Sequence, residues 1–370
     1  MNKFKSGLVL LATLILVACG GNNDVPGKPQ FTALVSFGDS LSDVGSYNVG
    51  VINYYGGGQF TINAASTVKA TTPTNWTEFT SLSLNLGMPC AAQTGLDDGT
   101  LGSVSSTLGV TYVMPPVDHA GCTGYAQGGS RVTDPVGIGN ASSPVQPGIF
   151  LTVPVVAQIQ NYLTANGGSF SGNEVVTVMA GANDVLAQAG SVGPSYPPAS
   201  AVAAVQTAAS ELANDVNTQI VGKGAKYVVV ANIPDIASTP YGVSLGANVA
   251  LIDTLVTAFN AQLKASLPDS ANVLNVDAYT ASKDEVANSG KYNLTNVTAT
   301  ACNLNYGFNI LATSGVADSG SSLVCNAGNL NAGVSPTDHY LFADMVHPTP
   351  YGHLLFATYV LQAMTNKGWY

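Results

Sequence analysis

The chain has 370 residues, 46% of them hydrophobic and only 9% charged, which is enough apolar material for a sizeable core and argues against disorder. The formal net charge is -10 with only eleven Lys and Arg, and there is no basic run or aromatic-basic interleaving. Nucleic acid is therefore not an expected partner.

At the N-terminus, Lys3 and Lys5 precede an apolar run from Gly7 to Val17, and the segment closes on Leu16-Val17-Ala18-Cys19. This pattern resembles a bacterial lipoprotein signal, which implies cleavage before Cys19 and lipidation of its thiol. The alternative is an ordinary signal peptide with a chance cysteine. Residues 1–18 are expected to be the signal peptide, 19–31 the lipidated cysteine with a flexible Gly-Asn tether, and 32–370 a single domain. The protein is thus expected to be exported and held at the bacterial outer membrane or cell surface, or released from it. No later stretch approaches the roughly 20 apolar residues of a membrane helix. The domain itself is expected to be soluble.

Without Cys19, the cysteines are Cys90, Cys122, Cys302 and Cys325, an even number in an exported chain. Three pairings are open. Proximity along the chain favours Cys90 with Cys122 and Cys302 with Cys325, each worth about 3 kcal/mol through restriction of the unfolded chain. The absence of a CxxC or a cysteine-histidine cluster argues against a metal site.

After the tether, the run Thr32-Ala33-Leu34-Val35-Ser36 reads as a short buried strand, as do Val175-Val176-Thr177-Val178-Met179, Tyr227-Val228-Val229-Val230 and Val273-Leu274-Asn275-Val276. Between them lie apolar stripes at helical spacing. One is Val205, Ala209, Leu212, Val216 and Ile220, stopping at Gly222; another is Ile252, Leu255, Phe259, Leu263 and Leu267, ending at Pro268. Residues 354 to 364 supply a final helix through Leu355, Tyr359 and Val360. Strands separated by helices need right-handed crossovers, so the predicted fold is α/β: a three-layer α/β/α sandwich on a mostly parallel sheet. Sites in such sheets lie beyond the carboxyl ends of the strands. Segments 88–122, 186–200 and 300–338, rich in Gly, Ser, Pro and Thr, are expected to be loop insertions around the site.

Four short segments carry chemistry: Gly38-Asp39-Ser40-Leu41, Gly128-Gly129-Ser130, Gly181-Ala182-Asn183-Asp184 and Asp344-Met345-Val346-His347. Acyl transfer needs a nucleophile, a base, an orienter for the base and donors for the developing oxyanion. Ser40 would attack, His347 would take its proton and return it to the leaving alcohol, and Asp344 would hold the imidazole tautomer. The backbone amides of Ser40 and Gly129 and the side-chain amide of Asn183 would form the oxyanion hole. Each segment alone has a plainer explanation: Gly-Asn after a strand is usually a turn, and Gly-Gly a bend or bulge. His119, His339 and His353 lack an acidic residue three positions earlier and are expected at the surface or in loops. Gly242-Val243-Ser244-Leu245-Gly246 satisfies the nucleophile elbow pattern of α/β-hydrolases, but Pro240 and the polar Ser238-Thr239 precede it where a strand is required. Ser244 reads instead as a helix N-terminal residue.

The set Gly38-Asp39-Ser40-Leu41, Gly129, Asn183 and Asp344-x-x-His347 resembles the GDSL, or SGNH, hydrolase superfamily. Thr74-Asn75-Trp76-Thr77-Glu78-Phe79, Val230-Ala231-Asn232-Ile233-Pro234, Phe259-Asn260-Ala261-Gln262-Leu263 and His347-Pro348-Thr349 extend the likeness to its bacterial secreted and plant-type branch. The resemblance covers residues 32 to 364. It implies a flavodoxin-like sheet of about five parallel strands, esterase or lipase activity, and no metal or organic cofactor. The second block departs from the family in having Gly124-Tyr125-Ala126 where Asn, an aromatic and Ala are usual, which leaves Gly128 as an alternative to Gly129. The stretch between Gly87 and Gly121 has no family counterpart.

The leading expectation is a serine esterase or lipase acting on acyl esters or lipids beside a membrane through an N-terminal lipid anchor. Deacetylation of a glycan or polysaccharide, or acyl transfer with the same residues, are alternatives within enzymes. A surface-binding lipoprotein that has lost activity is the alternative of another class, and the presence of every catalytic role argues against it.

Overall fold

The computed structural model describes residues 27–96, 114–144, 148–305 and 321–370; Cys19 and the signal segment lie outside them. The described strands are β1 (Ala33–Gly38), β2 (Gln93–Leu96), β3 (Met114–Asp118), β4 (Glu174–Met179), β5 (Tyr227–Ala231), β6 (Val273–Val276), β7 (Asn296–Thr300) and β8 (Tyr340–Phe342). The helices are α1 (Gly50–Tyr54), α2 (Trp76–Ser83), α3 (Val155–Ala165), α4 (Ala182–Ser191), α5 (Pro198–Asp215), α6 (Pro240–Ser244), α7 (Val249–Ser266), α8 (Ala278–Ala287) and α9 (Pro350–Asn366).

Strands β1, β4, β5 and β6 form one sheet in the order β1-β4-β5-β6, and every pairing is parallel. Period-two alternation along these strands sends side chains to two different cores. Val176, Val178, Val228 and Val230 join the apolar faces of α3, α5 and α7, whereas Val175, Met179, Val229 and Ala231 pack against Trp76 of α2 and Ala357, Val360 and Met364 of α9. Both faces of the sheet are covered, which is why its strands read as unbroken β-branched runs. The three-layer α/β/α architecture follows.

Beyond β1 the expected fifth strand is reduced to a parallel bridge between Ser36 and Gly124. Ser36 donates to Thr123 O at 3.0 Å, and Tyr125 donates to Ser36 O at 2.8 Å. Gly124 also bridges Ala91, and a Cβ on it would lie 2.4 Å from Val44 Cγ2, so this position is too crowded for a side chain.

The segments expected as loop insertions hold more order than their composition predicts. Within 88–122, β2 and β3 pair antiparallel and the Cys90–Cys122 disulfide closes the base. Helix α4 runs through Ser191 and α5 starts at Pro198, which leaves only 192–197 of the 186–200 segment as connection. Val185, Leu186 and Ala189 give α4 an apolar stripe against the main core. In 300–338 the Cys302–Cys325 disulfide ties Cys302 to the turn at Ser322–Val324.

Two further expectations are corrected. The stripe of α5 continues through a π-turn at Val216–Ile220 and stops at Gly224, not Gly222, because Gly224 takes the left-handed conformation (φ 107°) that ends the last turn at Val221–Lys223. In α9 the buried face is His353, Ala357, Val360 and Met364, and Tyr359 points outward at 40% exposure. His353 is thus a core residue, not a surface one.

Candidate active site

The end of β1 sits beside the end of β4, with Gly38 opposite Met179. Gly38 has φ +150°, and a Cβ there would approach Met179 O to 2.1 Å, so only glycine lets the chain turn away at this point. Gln158 of α3 clamps the residue from behind: its Oε1 accepts the Gly38 N–H at 2.9 Å and its Nε2 donates to Gly38 O at 2.8 Å. The next turn is built locally. Asp39 Oδ1 accepts the Leu41 N–H at 3.1 Å, and Asp39 O accepts the Ser42 N–H at 3.0 Å.

That turn is docked on the N-terminus of α2. Asn75 and Glu78 form a capping box there, and Asn75 Nδ2 also donates to Leu41 O at 2.8 Å. Trp76 Nε1 donates to Ser42 Oγ at 3.2 Å. Ser40 is left at 9% exposure on the wall of a cavity.

The imidazole beside Ser40 comes from the other end of the chain. His347 Nε2 lies 2.8 Å from Ser40 Oγ across a sequence separation of 307 residues, and His347 Nδ1 lies 2.8 Å from Asp344 Oδ2. The Asp-x-x-His turn binds itself together, because Asp344 Oδ1 accepts the N–H groups of Val346 at 2.9 Å and His347 at 2.7 Å. Burial pushes the Asp344 carboxyl up, but the His347 charge and the converging donors outweigh this and hold it below the usual carboxylate range. Phe60 stands 5.0 Å from the imidazole.

Gly128, Gly129 and Asn183 are brought to the same place. The Gly128 N–H donates to Asp43 Oδ2 at 2.9 Å, whereas among the described residues the amides of Gly129 and Ser40 have no acceptor. Gly129, with Ser40 and Asn183, lines the cavity. Of the two glycines, Gly129 therefore has the available donor. It has φ +78°, and a Cβ on it would fall 1.9 Å from Ile138 O. Asn183 occupies the first turn of α4 and donates one amide hydrogen to Ser130 O at 2.9 Å, which leaves the second for a ligand.

An ion pair fastens these two segments. Asp184 accepts from Arg131 Nε at 3.2 Å and from the Val132 N–H at 3.0 Å, and Arg131 also pairs with Asp134. Burial pushes Asp184 up to about 6 despite the Arg131 charge, and Asp39 up to about 7 despite the Leu41 N–H and the His347 charge.

The other histidines stay away from this cluster's hydrogen bonds. His119 Nε2 meets Thr94 Oγ1 at 2.8 Å, and His339 stacks on Tyr351 at 3.7 Å. Ser244 lies at the C-terminal end of α6, not at its start, and donates to Tyr241 O at 2.7 Å on the exposed surface. Thr239 caps that helix. Among the described residues no group of three or more His, Cys, Asp or Glu side chains could hold a metal ion.

Sequence reasoning overlooked Asp43, Gln158 and Arg131. Asp43 lies two residues beyond the first motif, and Arg131 is the one arginine in the whole chain, which is a signal of its own. Gln158 carried none.

The cavity over these groups encloses about 440 Å³, and its walls away from the polar cluster include Ile138, Phe150, Leu186, Ile236 and Met345. An anionic tetrahedral centre on Ser40 would face the free donors while an apolar substituent lay against those side chains.

The sequence matches the family described as GDSL-like Lipase/Acylhydrolase over residues 34–360. It is also 25% identical over 361 residues to a Pseudomonas putida protein described as "Uncharacterized protein in trpE-trpG intergenic region". That similarity covers 96% of this chain and 52% of the relative, so the chain spans about half the length of the protein it matches.

Proposed function

Because the chain belongs to the GDSL-like lipase/acylhydrolase family, and is therefore a hydrolase of ester bonds, we propose that it is a serine esterase that forms an acyl-enzyme on Ser40. The observation that carries this is the chain of contacts from Asp344 through His347 to Ser40, at 2.8 Å on each side of the imidazole. His347 Nε2 accepts the Ser40 proton as Oγ attacks the ester carbonyl, and the carbonyl oxygen becomes an oxyanion facing Ser40 N–H, Gly129 N–H and Asn183 Nδ2. The imidazolium is stabilised by Asp344 and gives its proton to the departing alcohol. Water then attacks the acyl carbon with the same base, and Ser40 is released.

The substrate is an ester with an apolar acyl chain. A glycan deacetylase needs hydrogen-bonding groups around a sugar, whereas the wall here is dominated by aliphatic and aromatic side chains. Lipidation at Cys19 would keep the domain beside membranes and their esters; the two disulfides suit an exported protein.

The test is labelling with a fluorophosphonate probe together with hydrolysis of p-nitrophenyl esters from acetate to decanoate. Wild type is expected to take up one probe per chain and to favour esters longer than acetate. Ser40→Ala is expected to lose labelling and turnover together, and undiminished turnover in that variant overturns the proposal.

A further inference from the structure

An oxyanion donor on a backbone amide works only if its peptide plane is aimed, and the plane in question joins two glycines. Gly128-Gly129 has little conformational preference of its own, so its orientation must be imposed from outside. The peptide unit is planar and trans, with no cis bond among the described residues, so the Gly128 C=O and the Gly129 N–H point in opposite directions. Whatever holds the carbonyl aims the amide.

The Gly128 carbonyl is held by Tyr47, whose hydroxyl donates to it at 2.7 Å. The Tyr47 hydroxyl oxygen in turn accepts the Thr152 N–H at 3.2 Å, so the hydroxyl is itself fixed from a second side. Tyr47 has no exposed surface and lies in van der Waals contact with two rings of the cavity wall, stacked on Phe150 at 4.5 Å and edge-on to Phe60 at 6.1 Å. It stands behind that wall, out of reach of a substrate. Burial pushes its hydroxyl well above the ordinary phenol range, so it remains a donor throughout the neutral range.

We propose that Tyr47 is a positioning residue of the oxyanion hole: by fixing the Gly128 carbonyl, its hydroxyl turns the Gly129 N–H into the cavity. The inference rests on the esterase mechanism above and adds a residue to it. The other two donors are aimed on the same principle. The Asp39 carbonyl, opposite the Ser40 N–H, is held by the Ser42 N–H at 3.0 Å, and the Asn183 amide is held by Ser130 O at 2.9 Å. Those anchors involve backbone atoms, whereas the Tyr47 hydroxyl can be removed by itself. Asp43 secures the preceding peptide through the Gly128 N–H, so the 43–47 turn grips the glycine pair at two successive planes.

The test is Tyr47→Phe, assayed per active site after exhaustive titration with a fluorophosphonate. Loss of one oxyanion donor costs about 100- to 1000-fold in kcat, and a misaimed donor is expected to cost about 10- to 100-fold, with KM changed less than about twofold. Affinity for an alkyl boronic acid, which forms a tetrahedral anion on the serine, is expected to fall by a similar factor. A role confined to packing would lower the melting temperature and leave both quantities at wild-type values per titrated site, which overturns the inference. Should Tyr47→Phe not fold, 4-aminophenylalanine and 4-methylphenylalanine at position 47 make the same comparison: the first keeps a donor and is expected to retain turnover, the second fills the space without one. Equal turnover in that pair also overturns the inference. Ser40→Ala, run alongside, reports on the esterase mechanism separately: if it is inert while Tyr47→Phe behaves as wild type, only the role of Tyr47 falls.

Discussion

The backbone N–H of Ser322 donates to Asp344 Oδ2 at 2.5 Å, the same carboxylate oxygen that meets His347 Nδ1 at 2.8 Å. Ser322 opens a short turn that ends next to Cys325, and Cys325 is bonded to Cys302. Asn63 secures the turn from its other side, accepting the Gln59 N–H with Oδ1 and donating to Cys325 O at 2.9 Å. One of the hydrogen bonds that hold Asp344 ionised and oriented is thus supplied by a disulfide-closed loop.

Replacing both Cys302 and Cys325 by alanine is therefore expected to lower kcat by about tenfold in addition to costing about 2–4 kcal/mol of stability. The Cys90→Ala/Cys122→Ala pair is expected to cost similar stability with a smaller change in kcat, because no hydrogen bond to Asp344 comes from that loop. Kinetics per titrated site, with urea denaturation of each variant, make the comparison. Equal kcat values in the two double variants would sink the proposed link.

Arg131 is the only arginine, and it neutralises the buried Asp184 beside Asn183. Arg131→Met is expected to cost about 3 kcal/mol, since it leaves a carboxylate in the interior without its partner. The sign of the pH dependence follows from Asp184, which burial already raises to about 6 and which Arg131 pulls down. Without Arg131 the folded value rises further. A group raised in the folded state favours folding relative to its ionised form at low pH and loses that advantage as pH rises through the folded value. The deficit of Arg131→Met is accordingly larger at pH 8 than at pH 5, and Asp184→Asn in the same background recovers most of it. A deficit independent of pH, or a strictly additive double-mutant cycle, contradicts this account.

His353 supplies the opposite case. It is buried in the first turn of α9, its Nε2 has no partner among the described residues, and burial, with the His347 charge, holds it down to about 3 against an ordinary 6.5. For a base depressed in this way the unfolded chain takes up the proton first, so the folded state loses stability as pH falls from 6.5 towards 3. His353→Leu is expected to match wild type within about 1 kcal/mol at pH 8 and to exceed it by a few kcal/mol, on the order of 2, near pH 4.5. Thermal unfolding at the two pH values decides it. Parallel acid destabilisation of both proteins rules out the contribution of His353.

Much of the architecture was legible because its signals are local. Val175-Val176-Thr177-Val178-Met179 announces a strand buried on both faces, and Asp344-x-x-His347 announces a turn that can orient an imidazole, since in each case the determining residues are neighbours in the chain. The helix-bearing part of 186–200 was missed because Gly, Ser and Pro dominate its composition while Val185, Leu186 and Ala189 carry the packing. The face of α9 was misjudged for a related reason: Tyr359 and His353 are both amphipathic, and only the neighbours of the helix decide which one is buried.

The residues that aim the site were the least legible. Tyr47 acts on Gly128 across 81 positions, Asp43 on the same residue across 85, and Gln158 on Gly38 across 120. In each case the partner is a backbone atom, which every residue possesses and no side-chain pattern marks. By itself the sequence determined the four strands of the main sheet, the stripes of α5 and α7, the order of the chemical groups and the chemistry each can perform, because these depend on residue type and short spacing. Only the tertiary structure decided which of two adjacent glycines has a free amide, which histidine is buried and which hydroxyl meets the Gly128 carbonyl, because those depend on directions and distances that arise once the strands pack together.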